Sequence, residues 1–461
     1  MTGHDMELLS IAACSIILLI VLIVSKLRLH PLLALLIVSV GVGLTSGLSI
    51  DKLAKSIEDG AGNTLGGVGL TVALGAMLGK LLADSGASDR IASAIVSRSN
   101  PRSLPWLMGV AAFIIGIPMF FEVGLIIMLP LIFNIASQLE KQGGTKGSPY
   151  MLVGVPVIAS LATMHGMVPP HPGPLTAITA LKANLGKTMI YGFLCAIPTV
   201  ILSGPIYARF IAPRVHVRPD DQLLKEYTTD KETKEAGKPV PILSALITIL
   251  LPVLMMLGRT LAETMVAKNT FVYKAAQFVG DPVMAMMIGL IVAILLLGYA
   301  RGADTDKLRH SLGASLKPIA GILLIIAGGG SFAKVLTDSH VGDAIVHLSS
   351  SFPLPAIALG WVISALLSVS TGSATVGIVG ASSLLAPLVA ANPSINSSLL
   401  IVAIGSGSLF FNYANHAGFW LVKESFGMSM GETFKTNTVI QSIIGVVGLI
   451  MALLLSLFPS L

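Results

Sequence analysis

Two polar interruptions in an otherwise apolar chain carry the side chains that could do chemistry. The first runs Ser160-Leu161-Ala162-Thr163-Met164-His165-Gly166-Met167-Val168-Pro169-Pro170-His171-Pro172-Gly173-Pro174. Four prolines in its last six residues cannot continue a helix, because each lacks a backbone donor and clashes with the preceding turn. The second runs from Gly405 to Trp420 and holds Ser406, Ser408, Asn412, Asn415 and His416 where lipid-facing sequence would carry leucine. Broken helix at membrane depth is tolerated only where protein buries it or it lines a cavity. Half-helix ends in such a place offer free N–H groups and partial positive charge, which is binding chemistry for an anion. His165, His171, Asn412, Asn415 and His416 are therefore the candidate substrate-binding side chains of these segments. A kinked span packed on small residues is the plain alternative.

Two further blocks, about 105–139 and 355–391, are apolar but broken by small residues. The first contains Gly116-Ile117-Pro118-Met119-Phe120-Phe121-Glu122-Val123-Gly124, with a single carboxylate in apolar surroundings. A carboxylate drawn out of water is suited to taking up and releasing a proton, so Glu122 and His165 are the expected proton-coupling groups. A structural ion pair is the alternative for Glu122. The second block contains Ser368, Ser370, Thr371, Ser373 and Thr375 and no charge. Hydroxyls at Ser370, Thr371, Ser373 and Thr375 suit the polyol part of a substrate or a sodium ion, with helix packing through small residues as the alternative.

Enzyme chemistry is disfavoured. His165 and His171 lie six apart, which is not the i, i+4 spacing that puts two ligands on one helical face. Prolines between them make a poor metal platform. No nucleophile and base sit together at a readable spacing, so no catalytic residue, metal or other cofactor is expected. Cys14 and Cys195 each lie in an apolar run and form no disulfide or zinc framework.

The elements that must position these groups are membrane spans. Hydrophobic residues make up 54% of the 461 and charged residues 11%, and the mean hydropathy is +0.86. Ten runs are long enough to cross a bilayer, at about 8–25, 31–48, 62–83, 150–180, 190–212, 241–262, 281–300, 318–337, 396–422 and 436–458. The sequence repeats internally. Asp51-Lys52-Leu53 with Ser56 recurs as Asp306-Lys307-Leu308 with Ser311, and Lys80, Asp84-Ser85 and Asp89 recur as Lys334, Asp338-Ser339 and Asp343. Such a repeat is the mark of a secondary transporter whose substrate site lies between related halves near the midplane. The expected fold is an all-α polytopic membrane protein of two inverted-topology repeats, 1–212 and 241–461. Each repeat has about five spans plus a re-entrant hairpin, with broken helices at the midplane. Residues 213–240 form a cytoplasmic linker.

Charge supports that layout. Of the 29 Lys and Arg residues, Lys80, Arg259 and Lys334 lie in or at the ends of spans. With the amino terminus outside, only Lys52, Lys55, Lys182, Lys187, Lys268 and Lys274 fall outside, and the other twenty fall inside. The positive-inside rule then puts both termini outside. The net charge of +6 is spread among loops, which is not a nucleic-acid signature. The first apolar run, with no basic residue before it, reads as a retained span rather than a cleaved leader.

The residues also resemble a known family. His165-Gly166 followed by Pro169-Pro170-His171-Pro172-Gly173-Pro174, Phe-Glu-Val-Gly at 121–124, Gly-Ser-Ala-Thr-Val at 372–376 and Gly-Phe-Trp-Leu at 418–421 are similar to the gluconate permease family of proton symporters. The resemblance runs from Lys26 to the last span. It implies a bacterial inner-membrane protein that imports a sugar acid, gluconate first, together with a proton. A homodimer with a scaffold and a moving transport domain is the implied assembly. A D-serine-type or sodium-coupled carboxylate carrier is the alternative, and an intramembrane metal enzyme the remote one. The chain departs from the family pattern twice, with His416 in a segment where aspartate is usual and Ser368 where arginine is common.

Overall fold

The computed structural model describes residues 3–97, 100, 102–143, 146–219, 224, 240–317, 319–341, 355–414 and 416–458. Within these residues the chain is helical throughout, and it is a multi-pass membrane protein. Nine helices are long and apolar enough to cross a membrane, or ten if the bent pair Leu70–Asp84 and Ala87–Val96 counts as one span. Large apolar side chains such as Met265, Phe271 and Leu243 stand on the outside, as a hydrocarbon solvent allows.

Most expected spans appear with shifted ends. Ile50–Thr64, a wide π-helical turn at Leu65–Gly69 and Leu70–Asp84 follow one another without a break, so the third span begins a dozen residues before the apolar run. Its leading segment is too polar to read as a span, but Ser49 caps it and Leu53, Ser56 and Gly60 bury one face. Each small-residue block holds a shorter apolar helix followed by one long and apolar enough to cross a membrane, Phe121–Gln142 and Ala374–Ala391. Leu104–Ile115 and Phe121–Gln142 pack on either side of Pro149–Met167. Ala356–Thr371 and Ala374–Ala391 pack on each other, with Gly377 against Ser364 and Ser368. Helices Phe271–Val279 and Thr305–Ala314 lie between the expected spans. Residues 220–223 and 225–239 of the 213–240 segment lie outside the described residues, as does Asp343.

One helix acts as a hub. Ala320–Asp338 lies against Pro31–Thr45, Ile50–Thr64 and Ala374–Ala391. Its three consecutive glycines face a different neighbour each: Gly328 meets Leu32 and Leu35, Gly329 meets Val379, and Gly330 meets Gly60 and Thr64. A methyl group at Gly329 or Gly330 would collide, and one at Gly328 would crowd Leu32, so the absence of side chains sets the close approach.

The repeated polar residues bond across the chain. Ser56 Oγ donates to Asp338 Oδ2 at 2.6 Å, and Ser311 Oγ donates to Asp84 Oδ2. Both carboxylates also hold the lysine one turn earlier, Lys80 to Asp84 and Lys334 to Asp338, each at 2.7 Å. Matching residues of the two halves thus make matching bonds, each to the other half.

Candidate functional site

The first broken span is Pro149–Met167, a turn at 168–171, and Pro172–Ala180. The second is Ser397–Gly407, a break at 408–416, and Ala417–Phe426. They cross where Gly166 meets Gly405. A methyl group on Gly405 would overlap the Gly166 carbonyl, and one on Gly166 would lie 2.6 Å from Leu409. Only glycine at both positions permits this contact. Each second leg then packs on the opposite hairpin, Gly173 against Ile378 and Gly418 against Phe121.

Three helix starts meet around the crossing with no side-chain cap, at Phe120, His171 and His416. Ser49, Ser148, Asn184, Asp281 and Asn396 cap their helices with side chains, while the starts at Ser103, Pro241, Ile319 and Pro355 are uncapped as well. First-turn N–H groups at Phe120 and His416 therefore lack a side-chain acceptor, whereas the turn after His171 holds Pro172 and Pro174 and has only the Gly173 N–H to offer.

Around the first start, the His165 and His171 rings lie 5.4 Å apart, and the Phe120 ring sits 6.3 Å from His165 and 6.4 Å from His171. His171 is buried, and its Nε2 donates to the Gly116 carbonyl at 2.8 Å. His165 is half-buried and its Nδ1 has no partner. Glu122 occupies the first turn of Phe121–Gln142, where a negative charge suits the helix dipole. It is exposed rather than enclosed, and its charge acts on the His165 ring.

Around the second break, His416 is buried and its ring bonds to the backbone carbonyl of Ser368, while its Nε2 has no partner. Ser368 is itself fully buried, and its Oγ donates to the Ser408 carbonyl. His416 and Ser368 are thus neighbours. A methyl group on Gly377 would lie 3.0 Å from the Ser368 Cβ, so the two helices approach closely at this point. Asn412 is buried and its Oδ1 lacks a partner. Asn415 lies outside the described residues.

The second hairpin is less open than its hydroxyl content suggests. Thr371 Oγ1 donates to Leu367 O at 2.7 Å, and Ser373 Oγ accepts from Val376 N at 3.3 Å. Both hydroxyls serve their own helices. Ser370 and Thr375 are half-buried. Among the described residues no group of three or more His, Cys, Asp or Glu side chains gathers to hold a metal ion.

Sequence reasoning missed Asn437 and Gln441. Both are buried in the last span, and Asn437 Oδ1 and Gln441 Oε1 have no hydrogen-bond partner. A signal was present, since Thr436, Asn437, Thr438, Gln441 and Ser442 make a polar start to an apolar run.

Comparison with known proteins agrees with the geometry. The family model described as GntP family permease matches residues 6–458. A gluconate permease of Pseudomonas aeruginosa is 41% identical, covering 99% of each chain. The high-affinity gluconate transporter of Escherichia coli is 38% identical over 97% of this chain and 99% of its own. The D-serine transporter DsdX of Escherichia coli is 34% identical over 95% and 96%. Among solved structures, the Alcanivorax borkumensis YdaH transporter shares the fold with a TM-score of 0.63 at 15% identity, covering 93% of this chain and 98% of its own. Neisseria gonorrhoeae MtrF does so with a TM-score of 0.66 at 12% identity, covering 96% of each.

Proposed function

Because this chain belongs to the GntP family of permeases, we propose that it imports a small hydroxy-acid anion, gluconate first, in symport with a proton and by alternating access. It is a transporter and not an enzyme. The observation that carries the substrate reading is the pair of uncapped helix starts at Phe120 and His416, with the single Gly173 N–H after His171, around the crossing of the two broken spans. Free N–H groups and the positive ends of the dipoles suit a carboxylate. His165 and His416, each with one ring nitrogen lacking a partner, supply additional polar contacts, and Asn412 joins them.

Coupling follows from electrostatics. Carrying one negative charge inward against an inside-negative potential costs about 2.3 kcal/mol per 100 mV, so a bare anion carrier would lose its substrate. One co-transported proton makes the step electroneutral. Glu122 and His165 are the carriers, being an exposed carboxylate and a half-buried imidazole that act on each other at the mouth of the break. Sodium coupling through the second hairpin is the weaker reading, since Thr371 and Ser373 already bond within their own helices.

The cross-bonded pairs Ser56–Asp338 and Ser311–Asp84 support two related halves. We read these as inverted repeats in a bacterial inner membrane, as a homodimer with both termini periplasmic. A D-serine-type carrier is the second reading, since the D-serine transporter DsdX belongs to the same set of relatives at a lower 34% identity and His416 and Ser368 alter the charge of the segment. Competition of sugar acids and D-serine against labelled gluconate uptake in proteoliposomes tests the choice. Gluconate should compete best, and stronger competition by D-serine would favour the second reading.

A further inference from the structure

The last span carries a polar face that the reading above does not use. Helix Val439–Ser456 turns Gly448 onto Ser406 and Gly445 onto Phe410. The Trp361 Nε1 donates to the Gly445 carbonyl at 2.8 Å. Positions 441, 445 and 448 share one stripe of a helix, so the stripe lying on the second broken span continues toward its start as Gln441. One turn earlier comes Asn437, in the wide π-helical turn Phe434–Thr438. Such turns recur at functional sites. The adjoining Thr438 Oγ1 donates to the Asn412 carbonyl at 2.7 Å, which holds Asn412 beside this stripe.

Three buried carboxamides therefore lie on or beside the stripe that packs on the second broken span. Asn412, Asn437 and Gln441 are 7%, 1% and 4% exposed, and the side-chain oxygen of each has no hydrogen-bond partner. Buried acceptors are ordinarily paired, and three unpaired together ask for donors from outside the protein. A carboxamide offers an acceptor and a donor edge, and a hydroxyl group meets either. A cation would use only the oxygens and would find no carboxylate among the three. An ammonium group would be drawn more strongly to Glu122 than to neutral amides.

We propose that Asn412, Asn437 and Gln441 form a carboxamide subsite that reads the hydroxyl-bearing carbon chain of the substrate, while the carboxylate lies at the uncapped helix starts. This rests on the hydroxy-acid reading and sharpens it, because it makes chain length and hydroxyl number the basis of selection.

The test compares uptake by Asn437→Leu and Gln441→Met with wild type in proteoliposomes, using six-carbon gluconate and three-carbon glycerate as competing ligands. Each variant should weaken gluconate by about tenfold, the loss expected from one or two hydrogen bonds. Glycerate, too short to reach the amides from the carboxylate position, should keep its affinity. The unliganded thermal midpoint should hold, which excludes a packing defect. Equal loss of both ligands, unchanged discrimination, or a loss that sodium reverses would each overturn the subsite. Wild-type protein that takes up no hydroxy acid would instead fail the transport reading, so the two failures are distinct.

Discussion

Replacing Gly405 with alanine perturbs the crossing of the broken spans directly. A methyl group there would lie 3.0 Å from the Gly166 carbonyl carbon and 3.3 Å from the Met167 Cα, with the Gly166 carbonyl oxygen closer still. Carbon atoms pack at roughly 3.5–4.0 Å, so the two backbones must part by about half an ångström or more. Both are backbone, so no side-chain rotation can relieve the overlap. Overpacking of this kind costs about 1–3 kcal/mol. Gly62→Ala is the control, since a methyl group at Gly62 meets nothing within 4 Å, and alanine there should be neutral or stabilise by about 1 kcal/mol. The assay is the thermal midpoint of purified protein, read together with gluconate uptake at equal reconstitution. Gly405→Ala should lower the midpoint and abolish most uptake, while Gly62→Ala does neither. A Gly405→Ala protein with wild-type midpoint and wild-type uptake would refute the close crossing as the basis of the site.

Other outcomes follow from the same structure. Glu122→Gln should fold and still bind substrate but lose accumulation driven by a pH gradient; full accumulation by that variant removes Glu122 from coupling. Asp338→Ala should cost about 1 kcal/mol in unfolding, because Lys334 loses its partner and the buried Ser56 hydroxyl exchanges a charged acceptor that is 18% exposed for the Lys52 carbonyl alone. Asp84→Ala, at 39% exposure, should cost less, roughly 0–1 kcal/mol; the reverse order would contradict the burial argument. Single cysteines at Thr229 and near the carboxyl terminus, in a protein lacking Cys14 and Cys195, should label from opposite faces of the membrane. Labelling of both from one face would overturn the inverted layout.

The broken spans were readable because prolines and glycines leave no other option at membrane depth. Pro169 and Pro170 follow the end of the first leg, and Pro172 and Pro174 stand in the first turn of the next helix, where a missing N–H costs least. The span beginning at Ile50 was harder, since Ile50–Thr64 has a polar sequence and is helical by virtue of its cap and the hub helix it packs on. Partners were the least legible. Nothing in sequence tells that the His416 ring bonds the Ser368 carbonyl, or that the hydroxyls of Thr371 and Ser373 turn back on their own helices. Asn437 and Gln441 escaped notice because two amides at the start of an apolar run look like an interfacial end. Only the contacts of Gly445 and Gly448 reveal which way that face is turned.

Proton-coupled import of gluconate is the central claim, and one measurement addresses it most directly. Purified protein in proteoliposomes, with an alkaline lumen and no sodium, is given labelled gluconate outside. The account predicts accumulation above the external concentration that a protonophore collapses. Accumulation that ignores the pH gradient and follows an imposed sodium gradient, or no gluconate uptake under either gradient, would contradict it.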